Sequence, residues 1–303
     1  MGGRKSRRYR SCEIGSPTVT VKCLLQMVAI SRCALCLRDE QLQMSHLIPR
    51  ALYLDRRMPE LPNPNPIYGL PEEQGPRQEQ FVERLLCRDC EHRFSVNGEK
   101  WVLENGYRLK GPSTIYEALA AATAVPDYPG GTVYAGAEID ALDMDKLSYF
   151  GASVFWRASV VHLDIGRKRR HMIQLGAKYE ESLRAYLLGE APFPNSMVLW
   201  SAVCRTPEPP PVITYPAGER VSEGYESFYR HTFDIPGLSY MLHVGNRLPP
   251  HIRDTCVVAS PRRYIYFSPF ERLIDRNTAR AFAKSAPSQS LRKLHRKVSG
   301  EEL

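Results

Sequence analysis

The chain has 303 residues, of which 43% are hydrophobic and 10% aromatic, and its formal net charge is +8. This composition suits a packed core and excludes a disordered chain, and the length allows one large domain or two ordinary ones. No run of about 18 apolar residues occurs, and the first 30 residues lack a continuous apolar stretch. We therefore expect no membrane partner, no secretory signal and a cytoplasmic location.

The positive charge is concentrated in short segments of the chain. Five basic side chains lie in the first ten residues, and the segment from Leu291 onward adds a net two, which leaves residues 11–290 close to neutral. Clustered cations favour contacts with nucleic-acid phosphates, although solvated segments would have the same composition. The candidate nucleic-acid-binding residues are Arg4, Lys5, Arg7, Arg8, Arg10, Lys168, Arg169 and Arg170.

Four of the eight cysteines form two Cys-x2-Cys pairs, Cys33 with Cys36 and Cys87 with Cys90. A redox dithiol needs one such pair, whereas two pairs can supply the four thiolates of a tetrahedral zinc site. A reducing compartment also disfavours disulfides. We therefore predict a structural zinc ion at these four residues. The other cysteines are interpreted as buried or incidental thiols: Cys12, Cys23, Cys204 and Cys256.

The segments around the two pairs predict a small zinc-bound module. Its predicted elements are a turn over residues 31–38, a strand over 41–48, a loop over 61–80 and a helix from about Asp89 to Ser95. Pro49 would end the strand, and Asn97-Gly98 would end or interrupt the helix. A turn, a strand pair, a long loop and a helix in this order are typical of a treble-clef zinc fold.

The same segments resemble the zinc-stapled HNH, or ββα-metal, endonucleases. The resemblance rests on the two Cys-x2-Cys pairs, the strand ending in SHLIP and the helix opening with LCRDC, and it covers under a quarter of the chain. It implies that His46 is the general base that activates water against a phosphodiester. It also implies a second divalent cation such as Mg²⁺ or Mn²⁺, with Glu91 as a helix ligand. The asparagine that braces the histidine would be Asn65 or Asn63.

The chain departs from the family pattern at one expected ligand. Ser45 stands where the family usually has a metal ligand, and serine binds hard cations poorly. If the helix continues, Glu99 shares a face with Glu91 and would rebuild the cation site beside His46. A structural histidine and a solvated helix face are the alternatives. A metal-dependent endonuclease, acting on DNA more than on RNA, is therefore one hypothesis, and a non-catalytic module that docks nucleic acid or protein is the other.

The rest of the chain predicts an α+β domain with a mainly antiparallel sheet. A short helix is expected within residues 105–125, and longer ones over 142–160 and 178–188, the last closed by Gly189. The strand patterns after Ser196 are MVLWSAV, PVITY, FYRHTFDI, SYMLHV, TCVVAS and YIYFS. The predicted organisation is a basic arm and lead-in (1–30), the zinc module (31–104), the α+β domain of unknown role (105–285) and a basic tail (286–303).

Several side chains in this second domain are open to two interpretations. Trp156 and Arg157 could hold a base and a phosphate, but helical spacing favours a core tryptophan and an arginine paired with Asp or Glu. His231 and His243 flank a hairpin-like stretch and are expected to be satisfied polar groups. The partners that we expect are nucleic acid, DNA above all, and a protein partner or a second copy of the chain.

Overall fold

The computed structural model describes residues 30–54, 67–70, 73–76, 80–108, 111–126, 132–165, 168–209 and 212–269. For residues 54, 67–70, 73–76, 163–165, 168–170 and 212 it describes the backbone alone. The strands are β1 (Ile30–Arg32), β2 (Asp39–His46), β3 (Ile67–Leu70), β4 (Glu73–Pro76), β5 (Val82–Cys87), β6 (Val133–Ala135), β7 (His162–Ile165), β8 (Lys168–His171), β9 (Met197–Cys204), β10 (Val212–Glu223), β11 (Glu226–Ile235), β12 (Leu238–Val244) and β13 (Tyr264–Ser268).

The helices alternate with these strands. They are α1 (Ala51–Leu54), α2 (Arg88–Phe94), α3 (Lys100–Asn105), α4 (Thr114–Ala121), α5 (Met144–Val160), α6 (Ala177–Leu188) and α7 (Pro250–Arg253). A π-helical segment, Ser95–Glu99, joins α2 to α3, and a 3-10 turn covers Gly136–Glu138. Within the described ranges, no helix has both the length and the apolar composition needed to cross a bilayer.

The protein is a mixed α+β structure with mainly antiparallel sheets, as predicted. One sheet has three strands in the order β1-β2-β5, and a second has eight in the order β4-β3-β10-β11-β12-β9-β13-β6. The pairs β3–β10 and β9–β13 are parallel, and the other pairs of these sheets are antiparallel. Strands β7 and β8 form a separate two-stranded ribbon.

Helix α5 is the central element of the core. A helix that is apolar on all sides must be buried on all sides, and α5 is buried along almost its whole length. It contacts β9, β10 and β12 of the large sheet as well as α3, α6 and the π-helical segment. The side chain of Asp143 caps its first turn by accepting a hydrogen bond from the backbone N–H of Lys146 over 3.0 Å.

The helix after the second cysteine pair is longer than the sequence indicated. It does not end at Asn97-Gly98 but passes through the π-helical segment and continues as α3 to Asn105. Gly98 is buried there against α5, where a Cβ atom would lie 2.8 Å from the backbone nitrogen of Phe150. A single cluster of buried side chains runs from the cysteine pairs into the large sheet. The predicted domain boundary at residue 104 therefore falls inside a helix.

Other predicted elements can be compared with the structure in chain order. The strand expected over 41–48 is β2, the three helices expected downstream are α4, α5 and α6, and α6 ends at the left-handed Gly189 (φ 74°). The loop prediction for 61–80 was wrong over β3 and β4. Strand β4 is at the edge of the large sheet, where Pro and Gly are tolerated. The strand prediction for TCVVAS was also wrong, since residues 255–260 form turns after α7.

Candidate functional site

The first cysteine pair lies in a tight turn between β1 and β2. The backbone N–H of Leu37 donates to the carbonyl of Cys33 over 2.9 Å, and the N–H of Cys33 donates to the carbonyl of Arg38 over 2.8 Å. Leu37 takes a left-handed conformation (φ 61°), which closes the turn. These bonds direct both sulfur atoms to the same side of the turn.

The second pair lies where β5 ends and α2 begins, and it faces the first. The four Sγ atoms of Cys33, Cys36, Cys87 and Cys90 all lie within 4.8 Å of one another. The Sγ atoms of Cys36 and Cys87 are 3.8 Å apart, which is about the sulfur–sulfur spacing of a tetrahedral site with Zn–S bonds of about 2.3 Å. Cys204 and Cys256 are buried, and none of the six described cysteines forms a disulfide. The predicted cluster is thus confirmed as a place that could bind a metal ion such as zinc.

The protonation of these thiols suits metal binding. Cys90 shares a hydrogen bond with Cys33, and this bond lowers the pKa of the Cys33 thiol to about 4. The same bond, together with burial, raises the pKa of Cys90, and burial raises the pKa of Cys87. The backbone N–H of Cys87 also donates to the sulfur of Cys33 over 3.3 Å. The cluster therefore already favours one thiolate, and a bound ion would displace the remaining protons.

Ser45 and Glu91 lie next to this cluster and contact each other. Strand β2 pairs antiparallel with β5, and α2, which follows β5 directly, packs against both strands. The Ser45 hydroxyl donates to Oε1 of Glu91 and accepts from the backbone N–H of Leu86 over 3.2 Å. Burial raises the pKa of Glu91, although the Ser45 bond opposes the shift. Ser45 is 3% exposed, so its hydroxyl serves the carboxyl group of Glu91.

His46 is the last residue of β2 and is partly exposed. Burial lowers the pKa of its imidazole, and the positive charges of Arg50 and Arg157 lower it further. A hydrogen bond with the side chain of Gln80 and the charge of Glu99 act in the opposite direction. The net effect keeps the ring neutral at physiological pH, which is the state that can accept a proton or bind a metal.

Arg157 connects His46 and Glu99 to α5. Its Nη1 donates to the backbone carbonyl of His46 over 2.6 Å, and its Nη2 lies 2.5 Å from Oε1 of Glu99. The prediction of a buried Trp156 beside an ion-paired Arg157 is confirmed. Glu99 also raises the pKa of Glu91, so the two carboxyl groups do lie within electrostatic range of each other.

The described part of the chain does not bring every predicted site residue together. The cysteine cluster is the one group there of three or more Cys, His, Asp or Glu side chains that could hold a metal ion, so His46, Glu91 and Glu99 do not form a second one. Of the basic candidates, Lys168, Arg169 and Arg170 lie in β8, where the backbone alone is described. The remaining predicted residues lie outside the described ranges: Arg4, Lys5, Arg7, Arg8, Arg10, Asn63 and Asn65.

The sequence did not indicate two residues that contact His46. Gln80 lies two residues before β5 and bonds the His46 ring, the role expected of Asn65 or Asn63, but a lone glutamine in a polar loop carries no motif. Arg157 was interpreted as an ion-pair partner without its acid being named. The signal was present, since it is the lone charged residue in the stretch SYFGASVFWRASV of α5.

Helix α6 makes a second connection to the first cysteine turn. Nη1 of Arg184 donates to the carbonyl of Leu35 over 2.7 Å, while its Nε and Nη2 donate to the carboxylate of Glu181. A contact in the opposite direction runs from α2 to α6, where Nη1 of Arg93 donates to the carbonyl of Leu188 over 3.1 Å. The cysteine turn is therefore held by residues from the second predicted domain.

Comparisons with known proteins add no assignment to this geometry. A scan against models of protein families, a search of curated proteins and a search of solved structures each returned no match to the chain.

Proposed function

We propose that the chain is a zinc-stapled endonuclease that hydrolyses nucleic-acid phosphodiesters, DNA more than RNA, with a divalent cation. The observation that carries the proposal is the placement of His46. A partly exposed imidazole lies at the end of β2, the strand that follows the first cysteine turn, with Gln80 bonded to its ring. Its lowered pKa favours the neutral form that a general base requires.

The cation in this proposal would be held mainly by Glu91. Mg²⁺ in phosphoryl-transfer sites is typically bound by one or two carboxylates, with substrate phosphate and water completing the shell. Glu91 lies on the first turn of α2 and is partly buried, close to the end of β2 that carries His46. When bound, the cation would stabilise charge on the phosphate and on the leaving oxygen. Zn²⁺ at the four cysteines would have the separate role of fixing β2, β5 and α2.

A second candidate function is a non-catalytic zinc module that docks nucleic acid or protein. The contacts of the two carboxylates favour it, because Glu99 is paired with Arg157 and Glu91 with Ser45. Both functions would use the same zinc cluster, and they differ in whether a phosphodiester is cut.

The test is a cleavage assay on the purified, zinc-loaded full chain. Supercoiled plasmid, single-stranded DNA and RNA are incubated with no added cation, Mg²⁺, Mn²⁺ or Ni²⁺, beside His46→Ala. The matched control is His92→Ala, which removes an exposed histidine one residue after Glu91. We expect His46→Ala to slow nicking by at least about 100-fold, the lower end for loss of a general base, and His92→Ala to leave it unchanged.

Equal nicking by His46→Ala and the unchanged chain would refute the role of His46. Binding of the same DNA with no cleavage under any cation would refute the endonuclease and support the docking module.

A further inference from the structure

A buried arginine from outside the 31–104 segment contacts both His46 and Glu99. Arg157 lies in α5 with 2% of its side chain exposed, and the Glu99 side chain that it meets is 16% exposed. One guanidinium bonds the backbone carbonyl of His46 and the carboxylate of Glu99 over 2.6 and 2.5 Å. It therefore joins the end of β2 to the π-helical segment.

The guanidinium is itself held in place by side chains of α5 and α2. Its Nη2 lies 3.4 Å from Oγ of Ser153 on the preceding turn, and its Cζ lies 5.2 Å from the centre of the Phe94 ring. Because a guanidinium is planar, its two bonded nitrogens point in fixed directions relative to each other. The close approach of Gly98 to Phe150 fixes the π-helical segment on the same helix.

We propose that Arg157 is a positioning residue, which holds His46 and Glu99 at a fixed separation so that α5 completes the site. The catalytic consequence rests on the proposed function, whereas the placement can be measured without cleavage. The ion pair also commits Glu99 to Arg157, so that Glu91 is the carboxylate left to bind a cation. The site would therefore be incomplete in the zinc module alone.

A purely structural arginine would have a different signature. Loss of such a residue would lower stability without a directed effect on the His46 ring. The charges of Arg50, Arg157 and Glu99 act on that ring, and Gln80 bonds it directly. Removing the positive partner and removing the negative partner of the ion pair should therefore shift the titration of His46 in opposite directions.

The experiment is an NMR titration of His46 in the zinc-loaded full chain and in Arg157→Met, Arg157→Lys and Glu99→Gln. We expect Arg157→Met to raise the His46 pKa, and Glu99→Gln to lower it. Arg157→Lys keeps the charge, so the His46 pKa in this variant should be close to that in the unchanged chain. The matched control is Arg184→Met, which breaks a similar bond to a backbone carbonyl, at Leu35, without contact with His46.

Cleavage kinetics supply the second measurement. Arg157→Met should lower kcat by roughly 100-fold with little change in KM, since a misplacement of about 1 Å costs that much. Arg157→Lys should restore part of the rate, because one ammonium keeps the charge but does not reproduce the planar fork. A kcat for Arg157→Met within twofold of the unchanged chain would overturn the inference.

The failures of the two proposals are distinguishable. If the unchanged chain cuts no substrate but the His46 pKa shifts as expected, the endonuclease is refuted and the placement stands. If the His46 pKa is the same in Arg157→Met as in Arg184→Met, the positioning role is overturned whatever the activity. If Arg157→Met does not fold, Glu99→Gln breaks the same ion pair and decides the question alone.

Discussion

Replacing Gly98 by alanine should destabilise the protein, against the sign that helix propensity predicts. Glycine inside an exposed helix costs about 1 kcal/mol relative to alanine, so propensity alone predicts a gain of that size. In the structure, a Cβ on Gly98 would lie 2.8 Å from the backbone nitrogen and 3.0 Å from the Cα of Phe150. Backbone atoms of α5 cannot rotate away, so we take the upper end of overpacking costs, about 3 kcal/mol. The net loss is about 2 kcal/mol.

Urea denaturation of the zinc-loaded chain, followed by circular dichroism, measures this difference. Val96→Ala is the matched control, because Val96 lies in the same π-helical segment with 43% of its side chain exposed. We expect this control to change the free energy of unfolding by less than about 0.5 kcal/mol. A Gly98→Ala chain as stable as the unchanged one would show that the π-helical segment does not approach α5 this closely, and it would weaken the case for Arg157.

Two further predictions concern the zinc cluster and a buried histidine. Cys87→Ser should abolish stoichiometric zinc binding and lower the temperature at which β2, β5 and α2 melt, because a small unit depends on its metal. Metal analysis and thermal melts measure both effects, and an unchanged melt after zinc removal would contradict the prediction. Burial lowers the pKa of His231 to about 4, so the folded chain keeps it neutral while the unfolded chain takes up a proton below about pH 6.5. The stability contribution is complete above that pH and falls by up to about 3 kcal/mol as the pH drops towards 4. His231→Leu should flatten this slope in denaturation at pH 7, 6 and 5, and equal slopes would refute the assignment.

Regular patterns let the sequence predict much of the fold. The spacing of Leu147, Phe150 and Val154 places them on a buried helix, and all three are buried in α5. The apolar runs after Ser196 became strands wherever a neighbouring strand could pair with them. The TCVVAS run has the same composition but folds as turns after α7, where the backbone N–H of Val257 donates to the carbonyl of Leu199 over 2.8 Å. Tertiary context therefore overrode β propensity there.

Two polar predictions failed for tertiary reasons. His231 and His243 lie within β11 and β12, on either side of the stretch FDIPGLSY as expected, but both are buried. Both ring nitrogens of His231 and Nδ1 of His243 have no hydrogen-bond partner among the described residues. The His231 ring instead packs against Gly218, where a Cβ would lie 2.2 Å from its Nδ1. Such cross-strand packing depends on register, which single-sequence patterns do not specify.

One part of the candidate site was predictable from sequence patterns, and the other part depends on tertiary packing. The cysteine cluster was predictable because thiolate zinc sites impose a spacing on the sequence itself, and the four sulfurs do converge. The surroundings of His46 were less predictable, because Gln80 and Arg157 reach it through tertiary packing. Asn97-Gly98 was expected to end or interrupt the helix. It lies instead within the π-helical segment, where Gly98 allows the close contact with α5.

The two function hypotheses therefore differ over one carboxylate. Glu99 is neutralised by Arg157, so it adds little negative charge for a second cation. Glu91 is different, since its raised pKa makes proton and cation compete for the same oxygens. Four thiolates around Zn²⁺ would leave a net negative charge beside Glu91, which favours a cation there as well as a proton. Catalysis would consequently require that a divalent cation displace the proton at Glu91, a change that the Ser45 hydrogen bond favours because it stabilises the ionised carboxylate.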